Sequence, residues 1–399
     1  MDIPKTDWTP CLPGATLGVL GGGQLGRMWV QEAQRMGYQT LVLDPDEHCP
    51  AGQVSHHLVC GDYDEDAALA ALSKRCVAVT TEFENVPAQA LAKLAQHTRV
   101  SPQAHAVAVA QDRAAEKAHF VECGVPVAAH AVIDSEAALQ NVASHLLPGI
   151  LKTARMGYDG KGQSKVESPQ DLQPAWQQLG QVTCVLEKRL DLVDECSVIV
   201  ARGHDGAMVH LPVQRNLHRD GILAVTEVWP GNLPDDLSQA VVQAAQAVAQ
   251  GLGYVGVLCV EFFVLADGRW VVNEIAPRPH NSGHHSQDAC DVSQFELQLR
   301  CMAGLPLTQP RLHSPVVMLN LLGDLWRGTA SQDVNADDPA HAPDWARVLA
   351  LPGAHLHLYG KKQARVGRKM GHLNITADTP ERARAVALQA AALLGIAGF

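Results

Sequence analysis

No apolar run in this sequence is long enough to cross a bilayer as a helix. Positive charge is in short supply: 31 Lys and Arg stand against 42 Asp and Glu, for a formal net charge of −11. A general nucleic-acid binder carries the opposite balance. The ten cysteines never fall in a Cys-x-x-Cys spacing. In a chain of 399 residues they read as reduced cytosolic thiols, not as a disulfide framework or a zinc site. There is no internal repeat and no low-complexity tract. The first fourteen residues lack the apolar region of a signal peptide and read as a loose extension, so a cytoplasmic location is expected.

What is present is an ordinary globular composition, 47% hydrophobic and 18% charged, with length for two or three domains. The chain begins by alternating strands and helices. Strands are expected at Thr16–Leu20, Gln39–Leu43 and Val77–Thr81, with a helix from Arg27 to Met36 that Gly37 ends. Such alternation predicts a parallel sheet with helices on its faces. From Gln111 the pattern changes. Helices are expected at Asp112–Glu122, Gln239–Leu252 and Pro380–Leu394, and strands at Gly149–Lys152 and Val182–Leu186. Pro306 and Pro310 mark a boundary, and Ser331–Asp344 reads as a mobile loop. The divisions expected are an extension over 1–14, an α/β domain over 15–111, a central domain over 112–310 and a C-terminal domain over 311–399.

The densest signal is Val260–Ile275, two strand-like runs about Asp267-Gly268, a strong hairpin turn. A two-residue loop sets Ala266 against Arg269 and, counting outward, Glu261 directly against Glu274. A four-residue loop gives the same register. Like charges opposite one another destabilise a sheet. Two carboxylates with Cβ atoms about 5 Å apart need a cation or a shared proton. Oxygen ligands select hard ions, so Mg²⁺ is the natural occupant. The alternative is an edge pair splayed into water.

Gly21-Gly22-Gly23-Gln24-Leu25-Gly26 fits the dinucleotide fingerprint, with Asp44 near the distance of a ribose-binding acid. A tight strand-to-helix turn needs no more than this, and no later segment supplies a hydride-transfer site. Gly157-Tyr158-Asp159-Gly160-Lys161-Gly162-Gln163 offers backbone N–H groups to phosphate oxygens, although it is not a Walker A loop. Lys152, ending an apolar strand just before it, is placed to hold a phosphate as a point charge. The alternative is a plain surface turn. Val185–Leu190, followed by Asp191 and Glu195, ends a strand in exposed backbone and acids that can meet adenine and ribose. Three histidines crowd Pro277–His285. No cysteine or carboxylate stands at a usual zinc spacing there, so a polar substrate loop is the better reading. His355–Ile375 carries Lys361, Lys362, Arg365, Arg368 and Lys369 with no acid, which reads as an anion site or a solvated basic face.

Taken in order, Gly21–Met28, Thr81–Pro87, Gly157–Gln163, Asn216–Leu223, Asn273–His284 and Gly367–Asn374 resemble the ATP-grasp ligases. Within them the likeness is to those that carboxylate 5-aminoimidazole ribonucleotide in bacterial purine biosynthesis. The resemblance implies an ATP-grasp fold with an N-terminal Rossmann-like domain and a small C-terminal domain. It implies a homodimer, and ATP, bicarbonate and the ribonucleotide as substrates. It also assigns roles by position. Glu261 and Glu274 would hold Mg²⁺, with Asn273 beside them. Lys152 and Arg113 would meet the phosphates, and the Gly157–Gln163 loop would close over ATP. Glu187, Lys188, Arg189 and Leu190 would line adenine, Glu195 the ribose, and His218 would lie near the nucleotide. Glu84, Tyr158, Asp159, Lys161, Arg278, His280 and Asn281 would face the ribonucleotide. Lys361 and Arg368 would take its 5′-phosphate. Lys152, Arg278 and Asn281 would be catalytic. The glycine-rich turn at Gly21 would not be an NAD site. A sister ligase using formate, a binding module without turnover and an NAD-dependent oxidoreductase are the competing readings.

Overall fold

The computed structural model describes residues 8–157, 162–328 and 332–399. Five parallel strands form the first sheet, in the order β3-β2-β1-β4-β5: β1 (Thr16–Leu20), β2 (Gln39–Asp44), β3 (His57–Cys60), β4 (Ala78–Thr81) and β5 (Arg99–Val100). The central strands β1, β2 and β4 are buried along nearly their whole length, as both-face cover by helices requires. The expected helix begins three residues earlier, at Gln24–Arg35.

An antiparallel four-stranded sheet follows, ordered β6-β9-β7-β8: β6 (His130–Ile133), β7 (Gly149–Thr153), β8 (Gln163–Val166) and β9 (Cys184–Lys188). The largest sheet of the described residues takes in β10 (Leu192–Arg202), β11 (Met208–His210), β12 (Gln214–Arg219), β13 (Ile222–Val228), β14 (Gly256–Leu265), β15 (Trp270–Ala276), β16 (Val316–Leu322), β18 (Ala354–Leu358) and β20 (Lys369–Thr376). A separate bridge joins β17 (Val334–Asn335) to β19 (Gln363–Ala364). β13 pairs with β16, so the sheet runs on beyond Pro306 and Pro310. Its far side packs on the helix Pro380–Leu394, with the bounds expected; Thr379 caps it and Gly395 ends it at φ +72°. No helix among the described residues is long and apolar enough to cross a membrane.

Three expectations change. Residues 8–14 are anchored, not loose. Trp8 stacks on His204 with ring centroids 4.7 Å apart, the Cys11 N–H donates to the Ala303 carbonyl at 2.8 Å, and the Tyr38 hydroxyl donates to the Cys11 carbonyl at 2.6 Å. Residues 1–7 lie outside the described residues. The described part of Ser331–Asp344 is pinned too: Val334 is buried in the β17–β19 bridge, and Trp326 donates to the Ala336 carbonyl. The helix expected at Gln239–Leu252 runs Asp235–Gly251, because Pro234 and the acids Asp235 and Asp236 suit a helix start.

Candidate active site

The Asp267-Gly268 turn closes a three-residue loop. The Leu265 N–H donates to the Arg269 carbonyl at 2.8 Å, and Gly268 takes φ +80°. Near the turn the register is therefore one residue out from the expected one, with Phe262 facing Val272 and Val264 facing Trp270. Uncorrected, a slip of one residue would turn Glu274 to the opposite face. A β-bulge corrects it. Between Val260–Ile275 and Phe262–Val272, the single residue Glu261 stands against two, Asn273 and Glu274. The bulge thus gathers all three on one cleft of about 570 Å³.

The opposite wall is cationic. Asp112 caps the helix Arg113–Glu122 by accepting from the Ala114 and Ala115 N–H groups. The helix presents Arg113 and, one turn on, Lys117. Lys152 comes from β7. All three converge on Glu187 of β9: Lys152 Nζ at 3.2 Å, Lys117 Nζ at 3.4 Å and Arg113 Nη1 at 3.9 Å. Burial works against the Glu187 charge, but Lys117, Lys152 and Arg113 together hold its carboxyl below the usual range. Burial lowers Lys152, with Glu187 opposing it. Arg113 also reaches Glu274 Oε2 at 3.4 Å, and Lys117 donates to the Asn273 carbonyl at 2.8 Å. Three cations on one internal carboxylate leave positive charge for an anion. Glu187, expected at the adenine, lines the cleft, and its carboxylate faces these cations.

The Pro277–His285 loop leaves β15 and supplies the third wall. Arg278 pairs with Glu84, whose carboxyl is brought down to about 2: burial raises it, but Arg278 outweighs that. His280 Nε2 lies 3.4 Å from Glu261 Oε1. The Asn281 side chain is buried on the cleft, and neither its Oδ1 nor its Nδ2 finds a partner among the described residues. Such an orphaned amide calls for a ligand. Gln294 fixes the loop from behind, accepting from the His280 N–H at 2.9 Å and donating to the His280 carbonyl at 2.8 Å. His284 and His285 point away into the core, so the three neighbouring histidines do not converge.

Gly157, Gly162, Gln163, Lys188, Arg189, Leu190, Glu195 and His218 also line the cleft. His218 Nδ1 lies 2.8 Å from Glu195 Oε2; burial would lower its pKa, but Glu195 and Glu261 raise it. Tyr158, Asp159, Gly160 and Lys161 lie outside the described residues. Lys361 and Arg368 are not on the cleft wall; Lys369 is. Burial, then Arg368, brings Lys361 down to about 7, beside Glu82. Sequence reading missed Lys117, and named Lys369 only as one of the basic cluster. Lys117 had a signal, its spacing of four from Arg113 on a capped helix.

The fingerprint at Gly21 is closed from within. Glu82 accepts from the Gly23 N–H at 2.7 Å and the Gly26 N–H at 2.9 Å, filling the place a pyrophosphate needs. Asp44, the candidate ribose acid, accepts from Gly22 at 2.6 Å and from the Tyr63 hydroxyl at 2.6 Å.

The donor set suits a hard cation. Glu261 and Glu274 both offer carboxylates to the same cleft, and burial, then Glu274, pushes the Glu261 carboxyl up. A cation between the two acids would reverse that push.

Three family descriptions cover the chain in succession: a ribonucleotide synthetase preATP-grasp domain over residues 14–111, an ATP-grasp domain over 118–295, and a phosphoribosylaminoimidazole carboxylase C-terminal domain over 316–386. An N5-carboxyaminoimidazole ribonucleotide synthase of Brucella melitensis is 42% identical over 370 residues, 92% of this chain and 98% of the relative. The chain belongs to the N5-carboxyaminoimidazole ribonucleotide synthase family. It is an ATP-grasp ligase of purine biosynthesis. Solved members share its fold. The Staphylococcus aureus enzyme complexed with ADP is 35% identical, with a TM-score of 0.84 over 96% of this chain and 98% of that one. The Aspergillus clavatus enzyme in complex with ADP and 5-aminoimidazole ribonucleotide is 31% identical, with a TM-score of 0.85 over 96% and 99%.

Proposed function

We propose that the cleft binds ATP between its cationic and acidic walls and uses it to carboxylate 5-aminoimidazole ribonucleotide with bicarbonate. The products are N5-carboxyaminoimidazole ribonucleotide, ADP and phosphate. The observation that carries the site assignment is the bulge that sets Asn273 and Glu274 against Glu261 on one cleft with Arg113 and Lys152, with the buried Lys117 bonded to the Asn273 carbonyl behind it. Glu261 and Glu274 would hold Mg²⁺, which supplies charge neutralisation at the transferring phosphoryl group. Arg113 and Lys152 neutralise the phosphate oxygens, and Lys117 holds Glu187 and the bulge in place. The Gly157–Gln163 loop covers the nucleotide. Lys188, Arg189 and Leu190 line adenine, and Glu195, held by His218, meets the ribose.

Bicarbonate attacks the γ-phosphate and ADP leaves; the substrate amine then takes the carboxyl carbon of the carboxyphosphate as the carbon–oxygen bond to phosphate breaks, and inorganic phosphate and an amine proton depart. Positioning is most of this catalysis. Arg278, fixed by Glu84, and the Asn281 amide orient the ribonucleotide and the carboxyl donor, with His280, Tyr158, Asp159 and Lys161 beside them. Lys361 and Arg368 take the 5′-phosphate at the basic end, reached past Lys369. We read residues 15–111, 112–310 and 311–399 as the three domains, and the working form as a cytoplasmic homodimer. ADP release measured with each substrate omitted in turn tests the reaction. Formate in place of bicarbonate tests the sister transformylase reading.

A further inference from the structure

Zinc ligation was set aside on sequence because no cysteine or carboxylate stands near His280 in the chain. The fold brings both. Cys259 and Glu261 are two apart on β14 and so share a face. Their sulfur and carboxylate oxygen, with a ring nitrogen of His280, lie within 4.8 Å of one another.

We propose that Cys259, Glu261 and His280 form a binding site for a thiophilic divalent cation such as zinc, and that its occupation inhibits the enzyme. Ligand atoms of a tetrahedral zinc site are about 3.3–3.6 Å apart, from the usual zinc bond lengths. Glu261 Oε1 and His280 Nε2 are already 3.4 Å apart. On its other side the imidazole has the Ser282 hydroxyl, 3.0 Å from Nδ1. The Ser282 N–H also donates to Nδ1 at 3.4 Å, so a metal at Nε2 requires the ring proton to move to Nδ1 and that long bond to give way to one donated to the Ser282 hydroxyl, the usual outer support of a ligating histidine. The nearby Arg278 charge is balanced by Glu84.

Glu261 and His280 line the cleft and Cys259 is buried behind them, so an ion enters from the cleft, to which a fourth ligand position would face. On binding, the sulfur of Cys259 bonds the metal and its thiol proton is lost by way of the cleft. Magnesium takes no sulfur ligand, so Cys259 adds nothing to the working cation. A thiophilic ion would draw Glu261 from Glu274 and the ribonucleotide from His280. Inhibition rests on the proposed ligase site; metal ligation does not.

The test uses the full chain stripped by a chelator. Titrated with cobalt(II), the wild type should show a near-ultraviolet thiolate-to-cobalt band. Cys259→Ser should lose the band, and Cys60→Ser, altering an exposed thiol, should keep it. The zinc concentration that halves ADP release should rise at least tenfold in Cys259→Ala. X-ray absorption of zinc-loaded wild type needs no variant and should show one sulfur at about 2.3 Å. A first shell of nitrogen and oxygen only, a band unchanged in Cys259→Ser, or equal zinc sensitivity in Cys259→Ala overturns the site. Sulfur ligation without inhibition would overturn only the inhibitory part.

Discussion

Lys117, fully buried, donates its ammonium to the backbone carbonyl of Asn273 at 2.8 Å. This bond ties the cationic helix to the bulge that gathers the acidic side chains. Lys117 also neutralises Glu187. Lys117→Met keeps much of the packing and removes both interactions. Breaking a buried pair costs about 3–5 kcal/mol when nothing else compensates. Lys152 and Arg113 remain, so a loss of about 2 kcal/mol is expected on that scale. Chemical denaturation should show it, together with weaker ATP binding. Unchanged stability and affinity would remove Lys117 from the account.

Glu274→Gln keeps the shape of the bulge residue and removes one charge. With Glu261 left as the lone carboxylate, the rate of ADP release should fall about 10²-fold or more, the scale of losing one preorganised charge partner. Saturating Mg²⁺ should recover part of the loss if the metal affinity is what fell. Steady-state kinetics across a Mg²⁺ series measures both.

Asn281 makes the opposite kind of prediction. Its amide has no partner among the described residues, so Asn281→Ala breaks no internal hydrogen bond. The melting temperature should move little while the KM for the ribonucleotide rises about tenfold, the worth of one ligand hydrogen bond of about 1.4 kcal/mol. A large fall in melting temperature with unchanged KM would assign Asn281 to the core.

Lys361 gives the pH dependence. Burial, then the neighbouring Arg368, brings it down to about 7. A bound phosphate dianion raises it again. Below about pH 7 the ammonium is already charged and binding takes up no proton there. Above about pH 7 each binding event must take up one proton, and affinity falls by at most tenfold per pH unit. Ribonucleotide affinity should therefore weaken above about pH 7 in the wild type. Lys361→Met should bind less tightly and lose this dependence, as calorimetry in buffers of different ionisation heat would register.

The sequence made the local devices legible. The helix Pro380–Leu394 and the buried strand Thr16–Leu20 stand where they were expected, and Asp112, expected as the first residue of a helix, is its cap. The hairpin shows the limit. Asp267-Gly268 was readable as a turn, but whether the loop holds two residues or three depends on how Gly268 is twisted. The bulge at Asn273 depends on packing against the rest of the sheet. Glu261 stands against Asn273 and Glu274 at the bulge, not in the direct pair with Glu274 that was expected. The glycine fingerprint fails for the same reason. What closes it is Glu82, 59 residues from Gly23 and 56 from Gly26, a contact no local pattern carries. Cys259 and His280 met across a fold, where spacing along the chain argued against them.

ADP release in the presence of Mg²⁺, with bicarbonate and aminoimidazole ribonucleotide each withheld in turn, decides whether the cleft carries out this carboxylation. Full turnover is expected only when both are present, with label from ¹³C-bicarbonate in the carboxylated product. ADP formed at the same rate without bicarbonate, or a product free of label, would contradict it.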